Sequence, residues 1–174
     1  HMVYFYDRYL GTSNKPNTNN IEIYYQKKKR IVTKYSIGNN GERKNDVFKK
    51  SNFSSYGDSL CFGRFVDDKN TWQYYLSKKI KNNVKNFGVG NYGLDQAFLK
   101  FKKNKEKNLD KSKNIIFLFG PEIIRRNVSL WKHFYEFGNI FNTKPAFIYD
   151  IKSKKFNLIK NPNCKRRQGF DFKI

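Results

Sequence analysis

A serine that follows a predicted strand is the residue of this chain best suited to chemistry. Ser59 lies in the stretch Gly57-Asp58-Ser59-Leu60, with strand-forming residues before it and a further glycine, Gly63, shortly after it. A hydroxyl at such a turn can attack an acyl carbon if a base accepts its proton and N–H groups stabilise the resulting oxyanion. Ser59 is therefore the candidate catalytic residue, and the base and the oxyanion donors must come from other parts of the chain.

The elements that would position Ser59 alternate between strand and helix. Strands are predicted within residues 51–60, at Val84–Phe87 and at Ile115–Phe119. Helices are predicted up to about Lys81, with Asp68 or Asn70 as the cap, from Leu94 onwards, and over Ile123–Phe137. This alternation predicts an α/β fold with a mainly parallel sheet that helices cover on both faces.

Three loops follow the predicted strands. They are the turn at Ser59, the segment Gly88–Gly93 and the segment Gly120–Glu122. Because the carboxyl ends of parallel strands meet at one edge of a sheet, we expect these loops to lie together and to form the site.

Aromatic and apolar residues are expected to form the core. Trp72, Tyr75, Leu76 and Ile80 have the spacing of one helical face, and Phe98, Phe117 and Phe119 also lie at core spacings. Outside the central part, residues 3–50 are predicted to be an irregular extension. Its one predicted hairpin pairs Ile21–Tyr25 with Ile31–Ile37, and a second hairpin near the C-terminus pairs Ala146–Tyr149 with Lys155–Ile159.

The chain is strongly basic, with a formal net charge of +22. One interpretation is binding to nucleic acid or another polyanion, with Tyr and Phe side chains for base stacking. The other is the codon bias of an AT-rich genome, which the 28 Lys against 8 Arg favour, since arginine is the better residue for bidentate phosphate recognition. Either interpretation predicts weak, non-specific attraction to polyanions at low salt.

Localisation and cofactors are predicted from absences. No apolar run approaches the ~20 residues that span a bilayer, and no signal segment opens the chain, so a cytoplasmic protein without a membrane span is predicted. His1 precedes Met2 and is interpreted as a cloning remnant, which leaves His133 as the native histidine. Cys61 and Cys164 are far apart without ligand spacing, so neither a metal nor a cofactor is predicted.

Three segments, taken in order, resemble the GDSL/SGNH hydrolases. They are Gly57-Asp58-Ser59 with Phe62-Gly63, Val66-Asp67-Asp68 with Thr71-Trp72, and the run from Asn86 to Gln96. The resemblance covers roughly residues 50–135. It implies a three-layer α/β/α sandwich of the flavodoxin-like type, and ester hydrolysis or acyl transfer, often on carbohydrate O-acetyl groups. It also implies a domain over residues 51–174 that is incomplete at its C-terminus.

The resemblance assigns roles to individual residues. Ser59 corresponds to the nucleophile, and its N–H to one oxyanion donor. The family's second donor, a glycine N–H, falls at Asn91 or one residue earlier at Gly90. The third, an asparagine side chain, has no counterpart, because Glu122 and Ile123 occupy that part of the chain. Asp58 is expected to shape the turn, and Glu122 to stabilise its loop or act on a proton.

The family's C-terminal Asp-x-x-His block, which supplies the base, has no counterpart in this sequence. His133 follows Leu130 where an aspartate would be needed, and Asp171 precedes Ile174 where a histidine would be needed. The sequence thus predicts an esterase-type site on Ser59 that acts on an ester or acylated carbohydrate and lacks part of its machinery. The alternatives are a catalytically silent SGNH-like binding protein and a basic nucleic-acid-binding protein.

Overall fold

The computed structural model describes residues 4–127, residue 130 and residues 143–162. The strands in these ranges are β1 (Tyr4–Asp7), β2 (Gly11–Asn14), β3 (Asn19–Gln26), β4 (Lys29–Ser36), β5 (Phe53–Gly57), β6 (Val84–Asn86), β7 (Asn114–Leu118), β8 (Ala146–Asp150) and β9 (Lys155–Ile159). The helices are α1 (Ser59–Phe62), α2 (Trp72–Ile80), α3 (Leu94–Glu106) and α4 (Pro121–Asn127), with a 3-10 turn at Asp68–Asn70 before α2.

A parallel sheet of three strands forms the centre of the described part. β5 lies between β6 and β7 and runs parallel to both, with Phe53 beside Val84 on one side and Asn114 on the other. In chain order, the strands of this sheet are arranged second, first, third. The prediction of an α/β fold with a parallel sheet is confirmed at this level.

Alternate residues of β5 point to different helical elements, as the period of a strand requires. Ser55 accepts a hydrogen bond from Gln73 of α2 at 3.0 Å. Its neighbours Ser54 and Tyr56 instead donate to the carboxylate of Asp110, just after α3, at 2.7 and 2.9 Å. The small serines of β5 thus allow polar groups of α2 and of the α3 end to approach the strand closely.

Aromatic packing around Tyr56 forms the larger core cluster. Its ring stacks on Phe87 at 5.1 Å and meets Phe101 of α3 edge-on at 5.6 Å. A smaller cluster contains Tyr35, Ile37 and Phe62. Tyr4 packs against both clusters, so the first strand connects the N-terminal hairpins to the central sheet.

α2 buries a polar face and two further predicted core residues are exposed, which corrects part of the core prediction. α2 buries Gln73 and Ser77, while Tyr75 is 59% exposed. Phe98 and Phe119 are also exposed, at 44% and 65%. The apolar period fails because the buried polar side chains satisfy backbone groups: Gln73 donates to the Cys61 carbonyl at 2.6 Å, and Ser77 accepts from the Val84 N–H at 2.9 Å.

The start of α2 also differs from the prediction. Its cap is Thr71, whose hydroxyl accepts from the Tyr74 N–H at 3.3 Å, whereas Asp68 and Asn70 lie in the preceding 3-10 turn. Asp68 is used by the N-terminal segment instead, because its carboxylate accepts from the Ser36 N–H at 3.0 Å and from Arg43.

Two hairpins occupy the N-terminal segment. β3 pairs with β4 through a two-residue turn at Lys27 and Lys28, both with positive φ, close to the predicted hairpin. β1 and β2 form a further hairpin where the sequence suggested irregular structure. Asp7 closes that turn by accepting from the Tyr9 and Leu10 N–H groups at 2.9 and 3.1 Å, a local contact without a periodic signal in the sequence.

The C-terminal hairpin of β8 and β9 forms as predicted. The segment that leads into it is attached to α3 by a buried ion pair between Lys144 and Asp95. The part of the predicted third helix beyond Asn127 lies outside the described residues, apart from residue 130. Among the helices of the described ranges, none is long and apolar enough to cross a membrane.

Candidate functional site

Ser59 is the first residue of α1, directly after the central strand. Asp58 caps the helix, because its Oδ1 accepts a hydrogen bond from the Leu60 N–H at 2.9 Å. The helix ends after one turn at Gly63, whose φ of +75° is a left-handed conformation that suits glycine. The Gly-Asp-Ser sequence therefore places Ser59, which is partly buried, on a short turn at the end of β5.

Glycines bring the ends of the neighbouring strands against this turn. A Cβ at position 57 would lie 2.5 Å from the carbonyl oxygen of Leu118, at the end of β7. A Cβ at position 88, just after β6, would lie 2.3 Å from the backbone nitrogen of Phe62. The Val89 N–H also donates to the Gly57 carbonyl at 3.0 Å. The ends of β6 and β7 thus both contact the segment that carries Ser59.

Asp58 has a second partner that the sequence did not indicate. Its Oδ2 lies 2.9 Å from Nη1 of Arg126 on α4, and the arginine side chain is only 11% exposed. The same Nη1 lies 3.5 Å from the Tyr92 carbonyl. Both carboxylate oxygens of Asp58 are engaged, which agrees with its expected role in shaping the turn. Arg126 joins α4 to the Ser59 turn and the Gly88–Gly93 loop.

The candidate oxyanion donors Gly90 and Asn91 lie in that loop. Asn91 has a φ of +64°, the left-handed conformation that asparagine tolerates better than most residues. The phenol oxygen of Tyr4 lies against the Gly90 backbone, so closely that a Cβ at position 90 would be 2.3 Å from that oxygen. The first strand therefore packs against one of the two residues whose N–H the resemblance assigns to the oxyanion.

Burial governs the ionisation of Tyr4. It raises the pKa of the phenol to about 12, an effect that nearby Arg64 opposes and Glu22 reinforces. The phenol therefore stays protonated near neutral pH and cannot act there as a base. Arg64 and Glu22 form an ion pair beside it, with Nη2 and Oε1 2.6 Å apart. Glu22 also accepts a hydrogen bond from the Tyr35 hydroxyl at 2.5 Å.

Arg43 fixes the far end of α1. Its guanidinium is fully buried and donates to the carbonyls of Phe62, Gly63 and Val66 at 2.6–2.9 Å, and its Nε lies 2.8 Å from Asp68. It also packs over the Tyr35 and Phe62 rings. These carbonyls follow the turn of α1 and have few partners within the helix, so one side chain satisfies them together.

Glu122 and Ile123 lie in the first turn of α4, in the segment that follows β7. Glu122 is exposed and makes no hydrogen bond to another described residue, so no contact supports a proton-transfer role for it. Ile123 is buried, with 2% exposure, where the resemblance would require an asparagine side chain. The third oxyanion donor of the resemblance is thus replaced by a packing residue.

The residues described by the structure include no histidine, since His1 and His133 both lie outside them, as does Asp171. Ser59 Oγ makes no hydrogen bond to another described residue, and so has no activating base in this part of the chain. Cys61, two residues further on, is fully buried, which raises the pKa of its thiol to about 12 and makes it a poor nucleophile. Within the described ranges, no group of three or more His, Cys, Asp or Glu residues is placed to hold a metal ion.

The sequence indicated Ser59, Asp58 and the Gly88–Gly93 loop, but it did not indicate Tyr4, Arg43 or Arg126. Each of these three reaches the site from a distant part of the chain, and none belongs to a local motif. No protein-family model matches the sequence, and a search of curated proteins finds no match.

Proposed function

We propose that this chain is an SGNH-type α/β domain that hydrolyses or transfers an acyl ester through Ser59, with an acylated carbohydrate as the substrate class. The observation that carries the proposal is the place of Ser59, at the turn between the central parallel strand and α1, with Asp58 capping that turn. A nucleophile held at a strand end is presented to a ligand at the edge of the sheet, where α/β folds bind their ligands.

The strand arrangement supports the finer fold that the resemblance implies. The order second, first, third of the central sheet is how a flavodoxin-like order of 2-1-3-4-5 begins. Contacts of β5 with Gln73 of α2 through one residue, and with Asp110 after α3 through its neighbours, support helical layers on both faces. We therefore propose a three-layer α/β/α sandwich.

The proposed reaction is acyl transfer through a covalent intermediate. Ser59 Oγ attacks the ester carbonyl carbon and loses its proton to a base, and the bond to the leaving alcohol then breaks as that alcohol takes up a proton. Water or an acceptor hydroxyl next releases the acyl group from Ser59. The proposed donors for the oxyanion are the Ser59 N–H and the N–H of Gly90 or Asn91. The base comes from outside the described residues.

A second function, a catalytically silent SGNH-like fold that binds a glycan, is favoured by one contact. The phenol oxygen of Tyr4 lies against Gly90, so the protein itself crowds this candidate donor. The buried Ile123 removes a further donor, and the loss of one such group typically costs ~10²–10³ in turnover.

Active-site labelling separates the two functions. The full chain is treated with a fluorophosphonate probe and, separately, with p-nitrophenyl acetate, and the labelled residue is located by peptide mass spectrometry. The matched variants are Ser59→Ala and Ser153→Ala, the latter an exposed serine in the β8–β9 turn. The esterase proposal expects labelling at Ser59 and turnover that Ser59→Ala abolishes and Ser153→Ala retains.

If neither labelling nor turnover exceeds the Ser59→Ala background, the chain has no esterase activity of its own and the silent binding function replaces the first proposal. Labelling at a serine other than Ser59 would contradict the assignment of the nucleophile.

A further inference from the structure

A cavity separate from the Ser59 turn lies between the β1–β2 hairpin, the turn at Asn39–Gly41 and the buried face of α3. Its volume is about 140 Å³. This is the scale of an engineered cavity of 150 Å³ that takes up benzene, so a small organic molecule fits. Neither Ser59 nor Gly90 is among the described residues that line it.

The cavity contains a buried lysine. Lys100 of α3 is 4% exposed, and its Nζ lies 3.0 Å from the hydroxyl oxygen of Ser13 on β2. No carboxylate of the described residues lies within 4.0 Å of that nitrogen, whereas the next lysine along the cavity, Lys103, pairs with Asp7 at 2.6 Å. A buried ammonium without a close counterion is costly, so the site favours an anion or the neutral amine.

The Lys100 side chain changes between the ammonium and the neutral amine close to neutral pH. Burial lowers the pKa of Lys100 to about 8, with Lys103 acting in the same direction and Asp7 and Glu42 in the opposite one. At neutral pH the side chain is therefore still mainly an ammonium, and above pH 8 it becomes an amine. An anion that contacts Nζ would hold the proton in place.

The surrounding charges select the type of anion. Besides Lys100, the ionisable groups that act on its Nζ are Lys103, Asp7 and Glu42, so two cations face two carboxylates. This set is already neutral, so a ligand with one negative charge is repelled less than a phosphate dianion, which would add a second charge near Asp7. The walls also include apolar side chains, namely those of Phe5, Leu10 and Leu109.

We propose that this cavity binds a small monocarboxylate, whose carboxylate accepts a hydrogen bond from Lys100 Nζ and whose hydrocarbon part lies against Phe5, Leu10 and Leu109. Asn14 connects the cavity to the Ser59 region. Its side-chain amide donates to the Gly41 carbonyl in the cavity wall at 3.1 Å and to the Gly88 carbonyl in the Gly88–Gly93 loop at 2.9 Å. The proposal does not depend on catalysis by Ser59.

Benzoate tests the proposal, since it combines one carboxylate with a benzene ring. The full chain is titrated at constant ionic strength with benzoate, with neutral benzamide and with inorganic phosphate, while amide resonances are followed by two-dimensional NMR. The variants are Lys100→Met, which keeps the apolar stem and removes the charge, and Lys102→Met, the matched control for an exposed lysine of α3.

The proposal expects saturable benzoate binding to wild type and Lys102→Met, weakened by at least about tenfold in Lys100→Met. It expects benzamide and phosphate to bind at least about tenfold more weakly than benzoate. It also expects the benzoate affinity of wild type to fall by about tenfold or more between pH 7 and pH 9.5, as Lys100 loses its proton.

Equal benzoate binding by Lys100→Met and wild type, or equal binding of benzamide, would overturn the site. Phosphate binding as tight as benzoate would overturn the ligand class, and the absence of saturable binding to wild type would overturn both. Circular dichroism checks the fold of each variant. If Lys100→Met does not fold, the pH series and the benzamide comparison on wild type still decide.

Discussion

Two sets of contacts shape the surroundings of Ser59. One fixes the turn that carries it, and the other places Tyr4 against a candidate oxyanion donor. Asp58 and Arg126 fix the turn that carries the serine, with a distance of 2.9 Å between their charged groups. Tyr4 meanwhile lies against Gly90, whose N–H is one of the proposed oxyanion donors. At the scale of single residues, we therefore expect the reactivity of the proposed site to depend on a phenol that is not part of the sequence motif.

The Tyr4 contact leads to a prediction about the labelling rate. Tyr4→Phe removes the phenol oxygen that lies against Gly90 and leaves the aromatic ring in the core. We expect the fluorophosphonate labelling rate at Ser59 to rise by about tenfold or more, up to the ~10²–10³ that one oxyanion donor typically contributes. The rate is measured under pseudo-first-order conditions by intact-protein mass spectrometry.

Tyr25→Phe is the matched control, because Tyr25 is 72% exposed at the end of β3. Its labelling rate should equal that of wild type. A rate that falls in Tyr4→Phe would mean that the hydroxyl contributes to the chemistry instead of covering the donor.

At the scale of elements, α1 is one turn long and depends on other segments for its stability. Arg43 donates hydrogen bonds to the carbonyls of Phe62, Gly63 and Val66, at the end of this helix and after it. It also pairs with Asp68 before α2. Isolated helices of this length are not stable in water, so tertiary contacts must hold it. The N-terminal segment therefore contributes directly to the geometry of the Ser59 turn.

We predict that Arg43→Met lowers the free energy of unfolding by about 3 kcal/mol or more, because it leaves buried carbonyls and the Asp68 carboxylate without their partner. Urea denaturation followed by tryptophan fluorescence measures the change. Arg64→Met is the control, since its pair with Glu22 involves an arginine side chain that is 46% exposed, and its loss should cost about 1 kcal/mol or less. Equal losses in the two variants would contradict the anchoring role of Arg43.

The strands of the central sheet and the turn at Ser59 were predictable from the sequence because they rest on local signals. Gly57-Asp58-Ser59 contains its own cap and a conformationally free residue, and Ile115–Leu118 is a continuous apolar run. The helix faces were not predictable, since the polar side chains of Gln73, Ser77 and Lys100 are buried through hydrogen bonds to residues outside their own helices, namely Cys61, Val84 and Ser13. A hydrophobic periodicity does not identify a polar side chain that is buried because it hydrogen-bonds a group on another element.

The same limit explains the site. Asp58 and Ser59 follow from their own motif, whereas Tyr4 lies 86 positions before Gly90, and Arg126 lies 68 positions after Asp58. Such pairs form only when the chain is folded, and a single sequence holds no record of them.

At the scale of the whole molecule, the charge of +22 is distributed over several elements. Exposed lysines lie at the β3–β4 turn, at the end of α2 and after α3, for example Lys28, Lys79 and Lys107. A dispersed positive charge attracts polyanions without selecting among them.

We therefore predict that the chain binds heparin and duplex DNA with similar affinity at low salt, because both are polyanions. The logarithm of the binding constant should fall linearly with the logarithm of the salt concentration, until binding is lost near ~150 mM salt. Fluorescence anisotropy across a salt series measures both ligands. Binding that persists at this salt concentration, with a preference for one strand type or sequence, would instead support a nucleic-acid-binding function.

Three contacts join the N-terminal segment to the end of β6 and the loop after it. They are Tyr4 to Gly90, Asn14 to Gly88, and Arg43 to Asn86, with the Arg43 N–H nitrogen 2.7 Å from the Asn86 carbonyl oxygen. The consequence concerns how the chain can be divided for engineering. A fragment that starts at Ser51 would keep the serine motif and lose every one of these contacts. A chimera that transplants this site onto another scaffold must therefore carry the first hairpins with it, although they contain none of the motif residues.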